Sequence, residues 1–178
     1  MIRLFKNKRS AVIINFRVDP RDFMHRSVVL PEETIKALNK AASILQEMSD
    51  GQYEIMLVRG CINWGYWRKI RGAIAKIFFC FLHYNDRSAA KLLFSSNGHD
   101  DGLSVDILPY DVLLKKTVKF LSLKNVMIRS NEAECLLKIN SDLIKIIDRS
   151  MIAAGFIGHP DPRERLQMHY RLVDQDLR

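Results

Sequence analysis

The sequence predicts an α+β fold in a single domain, a small antiparallel sheet flanked by helices. Three observations lead there. Short β-branched or alternating segments are interleaved with longer segments of helical apolar spacing, in no regular strand–helix repeat. No internal repeat and no linker interrupts residues 1–178. With 178 residues, 48% of them apolar and 27% charged, the composition is that of an ordinary globule able to bury one sizeable core.

The elements follow in order. Ala11–Val18 is apolar and β-branched and predicts a strand within an N-terminal extension over 1–27. A helix opens after Leu30, with Pro31 in its first turn and Glu32 and Glu33 at the positive end of its dipole. Leu38, Ala41, Ala42 and Leu45 continue it at helical spacing until Ser49-Asp50-Gly51. Tyr53–Val58 predicts a strand ending at Gly60, and 66–82 predicts a helix carrying Arg68, Lys69, Arg71 and Lys76. Lys91–Ser96 leads into GHDDGLSVDILPYD at 98–111, whose second half predicts a strand from Leu103 to Ile107 closed by Pro109. Helical patterns return over 111–121 and 132–154, the second stopped by Gly155. A loop with Gly158, Pro160 and Pro162 then precedes a last strand over 166–172. There Leu166, Met168, Tyr170 and Leu172 face one way and Gln167, His169 and Arg171 the other.

The net charge of +8, from 28 Lys and Arg against 20 Asp and Glu, favours an anionic partner: nucleic acid, anionic lipid or a bacterial wall polymer. Cys61, Cys80 and Cys135 are too few and scattered for a disulfide framework, which fits synthesis in a reducing compartment. The apolar piece Ala11–Phe16 is too short for a signal-peptide core, and Ala73–Leu82, interrupted by Lys76, is far short of a membrane span. The expectation is a monomer made in the cytoplasm without a signal peptide and without membrane insertion.

Asp106 is the anomaly, an acid inside an apolar strand. A buried carboxylate is costly unless it is paired, hydrogen-bonded or bound to a metal. His99 stands seven residues earlier, and Gly102 between them would let the chain turn back beside the strand. One carboxylate oxygen and one imidazole nitrogen suit Zn²⁺, which in catalytic sites takes three protein ligands and keeps one position open. His169, on the polar face of the last strand, is the best-placed third ligand.

The segment His99-x-x-Gly102-x-Ser104-x-Asp106 resembles the His-x-x-Gly-x-Ala-x-Asp signature of the zinc D-alanyl-D-alanine peptidases. These are the carboxypeptidases, dipeptidases and phage-lysin endopeptidases of peptidoglycan that share a fold with the hedgehog signalling domain. The bare pattern arises by chance in roughly one or two chains per hundred of this length, so its context must carry the reading. That context is the order of elements over about 28–173, including a helix ending in AAGFIG before the histidine strand. The resemblance implies a sheet carrying the ligands His99, Asp106 and His169 of one zinc per chain, and hydrolysis of D-amino-acid-containing peptide bonds of the cell wall after release or delivery.

This sequence departs from the family at several positions. Asn97 stands where members often have serine, and Ser104 replaces the alanine. The family's Gly-Tyr-Arg becomes Gly60-Cys61-Ile62, so Arg59, Arg68 or Arg71 is expected to take the role of the substrate-carboxylate arginine. Where many members carry an acidic general base three residues before the last histidine stands Leu166; Glu164 is the nearest acid by sequence, with Asp161 and His159 in the same loop. Two rival readings remain. One is a zinc or cell-wall binding protein of the same fold without the base. The other, with nucleic acid as the disfavoured partner, is a binder using the basic-aromatic stretch 64–76 with Trp64, Tyr66 and Trp67.

Overall fold

The computed structural model describes residues 1–5, 13–19, 27–61, 77, 99, 101–120 and 130–173. The fold is α+β. Strands β1 (Ile2–Phe5) and β3 (Ser27–Leu30) form an antiparallel pair. The larger sheet runs in the order β2 (Arg17–Val18), β4 (Tyr53–Arg59), β5 (Ser104–Asp111), β8 (His169–Leu172), β7 (Phe156–Gly158), with β6 (Lys116–Thr117) also on β5. Its pairings are antiparallel, as expected, except that β2 lies parallel to β4 at one edge. The helices whose extent lies within the described residues are α1 (Glu32–Met48), α2 (Ser130–Ile139), α3 (Ser141–Ala153) and the short α4 (Pro162–Leu166).

Helix α1 forms for the reasons its sequence gives. Pro31 supplies the extended entry, Glu32 and Glu33 sit in the first turn, and Asp50 and Gly51 end it at positive φ (49° and 77°). Its buried stripe of Ile35, Leu38, Ala41, Ala42 and Leu45 packs against α3 and β4. Each buried Leu or Ile there contributes about 1.5–3 kcal/mol. Ile55, Leu57, Val105, Ile107 and Tyr170 face the same core from the sheet. The alternate residues Met56, Val58 and Leu108 form a smaller cluster with Tyr110 on the opposite face. The period of two thus divides each strand between a helix-covered core and the face that carries the site.

Several sequence expectations change in the structure. Strand β5 does not close at Pro109 but runs on to Asp111. The proline is tolerated because its carbonyl accepts from Val118, so its N–H-less side faces away from β4, where the neighbour changes from β8 to β6. Residues 111–120 are not a helix, and 121 lies outside the described residues. Asp111 Oδ1 accepts the Leu114 N–H at 2.8 Å, Lys115 takes φ 50°, and the resulting turn leaves Leu113 and Leu114 exposed. The helix over 132–154 is two helices broken at Asn140, whose side-chain amide donates to the Leu136 carbonyl. The last strand begins at His169, because 162–166 coil into α4 and Met168 takes φ 55°. Of Ala11–Val18, Arg17–Val18 are strand and 11–12 lie outside the described residues; so do 91–96 and, apart from the helical Ile77, the segment 66–82.

Candidate metal centre

Alternation along β5 sends Val105 and Ile107 to the core and Asp106 to the other face, and strand register then builds the site. His169 of β8 lies opposite Asp106, as does Arg59 of β4. Residues directly opposite in antiparallel strands share a face. Arg59, Asp106 and His169 therefore form one row across three strands.

His99 joins this row from the preceding loop. Gly102 turns that loop at φ 77°, and a Cβ there would lie 2.6 Å from Pro31 Cδ, so only glycine fits. The Thr34 hydroxyl donates to the Gly102 carbonyl at 3.1 Å, which ties the loop to the start of α1. His99 Nδ1 lies 3.1 Å from the Gly60 carbonyl, which can only accept. Nε2, which donates to Asp106 when protonated and offers a lone pair when not, faces the row, while the bond to Gly60 keeps a proton on Nδ1. This is the outer hydrogen bond that metal-ligating histidines commonly make.

His99 Nε2 lies 3.4 Å from Asp106 Oδ1, and His169 Nδ1 lies 2.8 Å from the same oxygen. The two imidazole rings meet edge to face at 4.8 Å between centroids. One ligand atom from each of His99, Asp106 and His169 falls within 4.8 Å of the others, and all three residues are buried. Bonds of about 2.0–2.1 Å in a tetrahedral site imply ligand-to-ligand edges of roughly 3.3 Å. The two spacings to Asp106 Oδ1 lie on either side of that value, so these residues could hold a metal ion, for which His169 would yield its Nδ1 proton and His99 any proton on Nε2.

The Asp106 carboxyl answers the question its sequence posed. Burial pushes its pKa up, but hydrogen bonds from His169 and His99 and the charges of His99 and Arg59 more than offset this, holding it below the usual carboxylate range. Its second oxygen, Oδ2, accepts from Arg59 Nη1 at 2.9 Å. Arg59, expected at a substrate carboxylate, thus has its guanidinium on the ligand carboxylate. Arg68 and Arg71 lie outside the described residues, as does the side chain of Glu164, whose backbone belongs to α4. Leu166 is buried at the end of α4 and lies on no strand.

Beside His169 opens a cleft of about 250 Å³, lined by Ser104, Ile157, Gly158, His159, Pro160, His169 and Arg171. His159 reaches it because its backbone N–H donates to the His169 carbonyl, continuing the β7–β8 pairing. Its ring packs edge to face on His169 at 5.7 Å. The Asp161 N–H donates to His159 Nδ1 at 3.1 Å, so the proton of the neutral ring sits on Nε2. Burial, then the nearby charge of His169, lower the His159 pKa against the opposing pull of Asp161, favouring that neutral ring. Arg171 donates to Asp101 Oδ2 at 2.7 Å and to Ser104 Oγ at 3.4 Å. Alternation had put Arg171 on the His169 face, but neither it nor Ser104 could be tied to a cleft before the β5–β8 register was known.

Protein-family models and curated protein sequences gave no match to this chain. Among the described residues no helix is long and apolar enough to cross a membrane.

Proposed function

We propose that the protein is a zinc-dependent peptidase that hydrolyses D-amino-acid-containing peptide bonds of bacterial peptidoglycan. The observation that carries this reading is the buried His99–Asp106–His169 cluster, with the His99 tautomer fixed for ligation, at the edge of a cleft. The two nitrogens and one oxygen suit zinc, and the motif that supplies them resembles that of the D-alanyl-D-alanine peptidases. Bound zinc would polarise the scissile carbonyl and acidify water. The chain's own residues would do the rest. His159, with its proton on Nε2, offers a neutral donor to charge developing on the carbonyl oxygen. Glu164, five residues before His169, is the base that would take the proton from water and pass it to the leaving amine. The net charge of +8 suits an anionic wall, reached after release or delivery by a protein acting as a monomer.

The test is hydrolysis of purified peptidoglycan and of synthetic stem peptides, before chelation, after it, and after zinc is restored. The expected result is activity that is lost and regained with the metal. In Glu164→Gln turnover should fall by roughly a hundredfold or more while zinc stays bound; undiminished turnover would move the base elsewhere. The buried Leu166, standing where the resembled family often carries its base, favours one second reading: a zinc-holding wall-binding protein. Stoichiometric zinc with no hydrolysis of any wall peptide would establish it.

A further inference from the structure

We infer that Arg59 is a positioning residue of the metal centre, which restricts Asp106 to one-oxygen ligation and offsets its charge. This rests on the metal reading of His99, Asp106 and His169.

The strand itself argues that the contact is built. Along β4 and β5 the register runs Ile55 to Pro109, Met56 to Leu108 and Leu57 to Ile107, then skips so that Arg59 rather than Val58 faces Asp106. In regular pairing an apolar valine would lie opposite the acid and Arg59 would share the core-facing parity of Leu57. The irregularity sets two residues of β4 against one of β5, the geometry by which a bulge re-aims a side chain. Val58 keeps its place in the apolar cluster with Met56 and Leu108, while Arg59 swings onto the site face. An isolated surface ion pair would need no such irregularity.

The two oxygens of Asp106 are thereby divided. Oδ1 faces the two histidines, and Oδ2 is occupied by Arg59 Nη1 at 2.9 Å. A carboxylate with a free second oxygen can swing both oxygens onto one metal; here that rotation would break a charge-assisted hydrogen bond. Arg59 therefore limits the protein's contribution to three ligand atoms and preserves an open position. Its positive charge also cancels the single negative charge of the ligand set, leaving the full charge of a divalent ion to act on whatever it meets.

The experiment uses the full chain loaded with Co²⁺, whose visible absorption is strong in four-coordinate sites and weaker when a fifth ligand enters. Folding is first verified by circular dichroism in Arg59→Met and Arg59→Lys. In Arg59→Met the visible bands should weaken as Oδ2 joins the metal as a further ligand. Arg59→Lys, which restores a cationic donor, should recover most of the wild-type spectrum. Folded, Co²⁺-loaded Arg59→Met with an unchanged spectrum overturns the inference while leaving the metal site standing. A raised KM with an unchanged spectrum would do the same and return Arg59 to substrate binding. Failure of the wild-type chain to take up Co²⁺ or Zn²⁺ overturns the metal reading itself, and this inference with it.

Discussion

Two aspartates, Asp106 and Asp148, are held in parallel ways by neighbouring residues of one strand. His169 and Tyr170 are consecutive in β8 and point to opposite faces of the sheet. His169 reaches Asp106 at 2.8 Å, and the Tyr170 hydroxyl donates to Asp148 Oδ1 at 2.7 Å. Each aspartate also takes an arginine on its second oxygen, Arg59 for Asp106 and Arg165 for Asp148. What differs is the chemistry of the remaining partners. A phenol and a guanidinium only satisfy the Asp148 carboxylate, and they tie α3, α4 and β8 together. The imidazoles around Asp106 can give up a proton and turn a lone pair to a cation. The scaffold and the candidate site thus use the same strand and the same acid, and the side chains around the acid decide which is which.

The sharpest way to break that symmetry is to remove each acid and follow zinc. Asp106→Ala and His99→Ala should each weaken zinc binding by at least about a hundredfold, because a three-ligand site does not survive the loss of one. The measurement is elemental analysis with competition against a chelator. Chelating the wild type should leave the chain folded, since the core around α1 and α3 draws nothing from the cluster. A large fall in melting temperature on chelation would make the metal structural. Asp148→Ala should do the reverse. It leaves the buried Tyr170 hydroxyl without its carboxylate partner and removes the tie to Arg165, costing about 2–3 kcal/mol in urea unfolding. Zinc should remain bound at one per chain. Loss of zinc in Asp148→Ala at unchanged stability would show that the two aspartates are not separate devices.

The two regions were unequally legible in the sequence. Asp106, His99 and Gly102 could be placed from local rules alone: an acid in an apolar strand, a histidine across a turn, and a glycine where φ is positive. His169 followed from alternation in the last strand, although only 169–172 proved to be strand. Arg59 could not be placed, because strict alternation through YEIMLVR puts it on the side of Leu57, and the register shift that moves it depends on the partner strand. His159 was visible only as a loop residue; its approach to the cluster depends on the pairing of β7 with β8, which no local pattern encodes. The misread helix over 111–121 has a different cause. Its apolar residues imitate helical spacing, but the Asp111 side chain stabilises a turn and Leu113 and Leu114 point to solvent.

The smallest expected effect isolates the scaffold half of the comparison. Burial, then the charge and the hydrogen bond of Asp148, raise the Tyr170 pKa well above its ordinary value of 10.0, only partly opposed by Arg165. Above pH 10 the unfolded chain therefore releases this proton while the folded chain keeps it. Unfolding is then accompanied by proton loss, and stability falls as pH rises. The contribution is whole below pH 10.0 and is lost toward the raised folded value, with a slope of up to about 1.4 kcal/mol per pH unit. Tyr170→Phe removes the hydroxyl with little change of shape, so near neutral pH it should cost only about 1 kcal/mol. It should also flatten the alkaline fall, so that urea-unfolding stabilities of wild type and variant converge as pH is raised above 10. Parallel curves across that range would show that Tyr170 titrates alike in both states. Zinc content should not change, because the hydroxyl bonds on the core side of β8 and His169 points the other way.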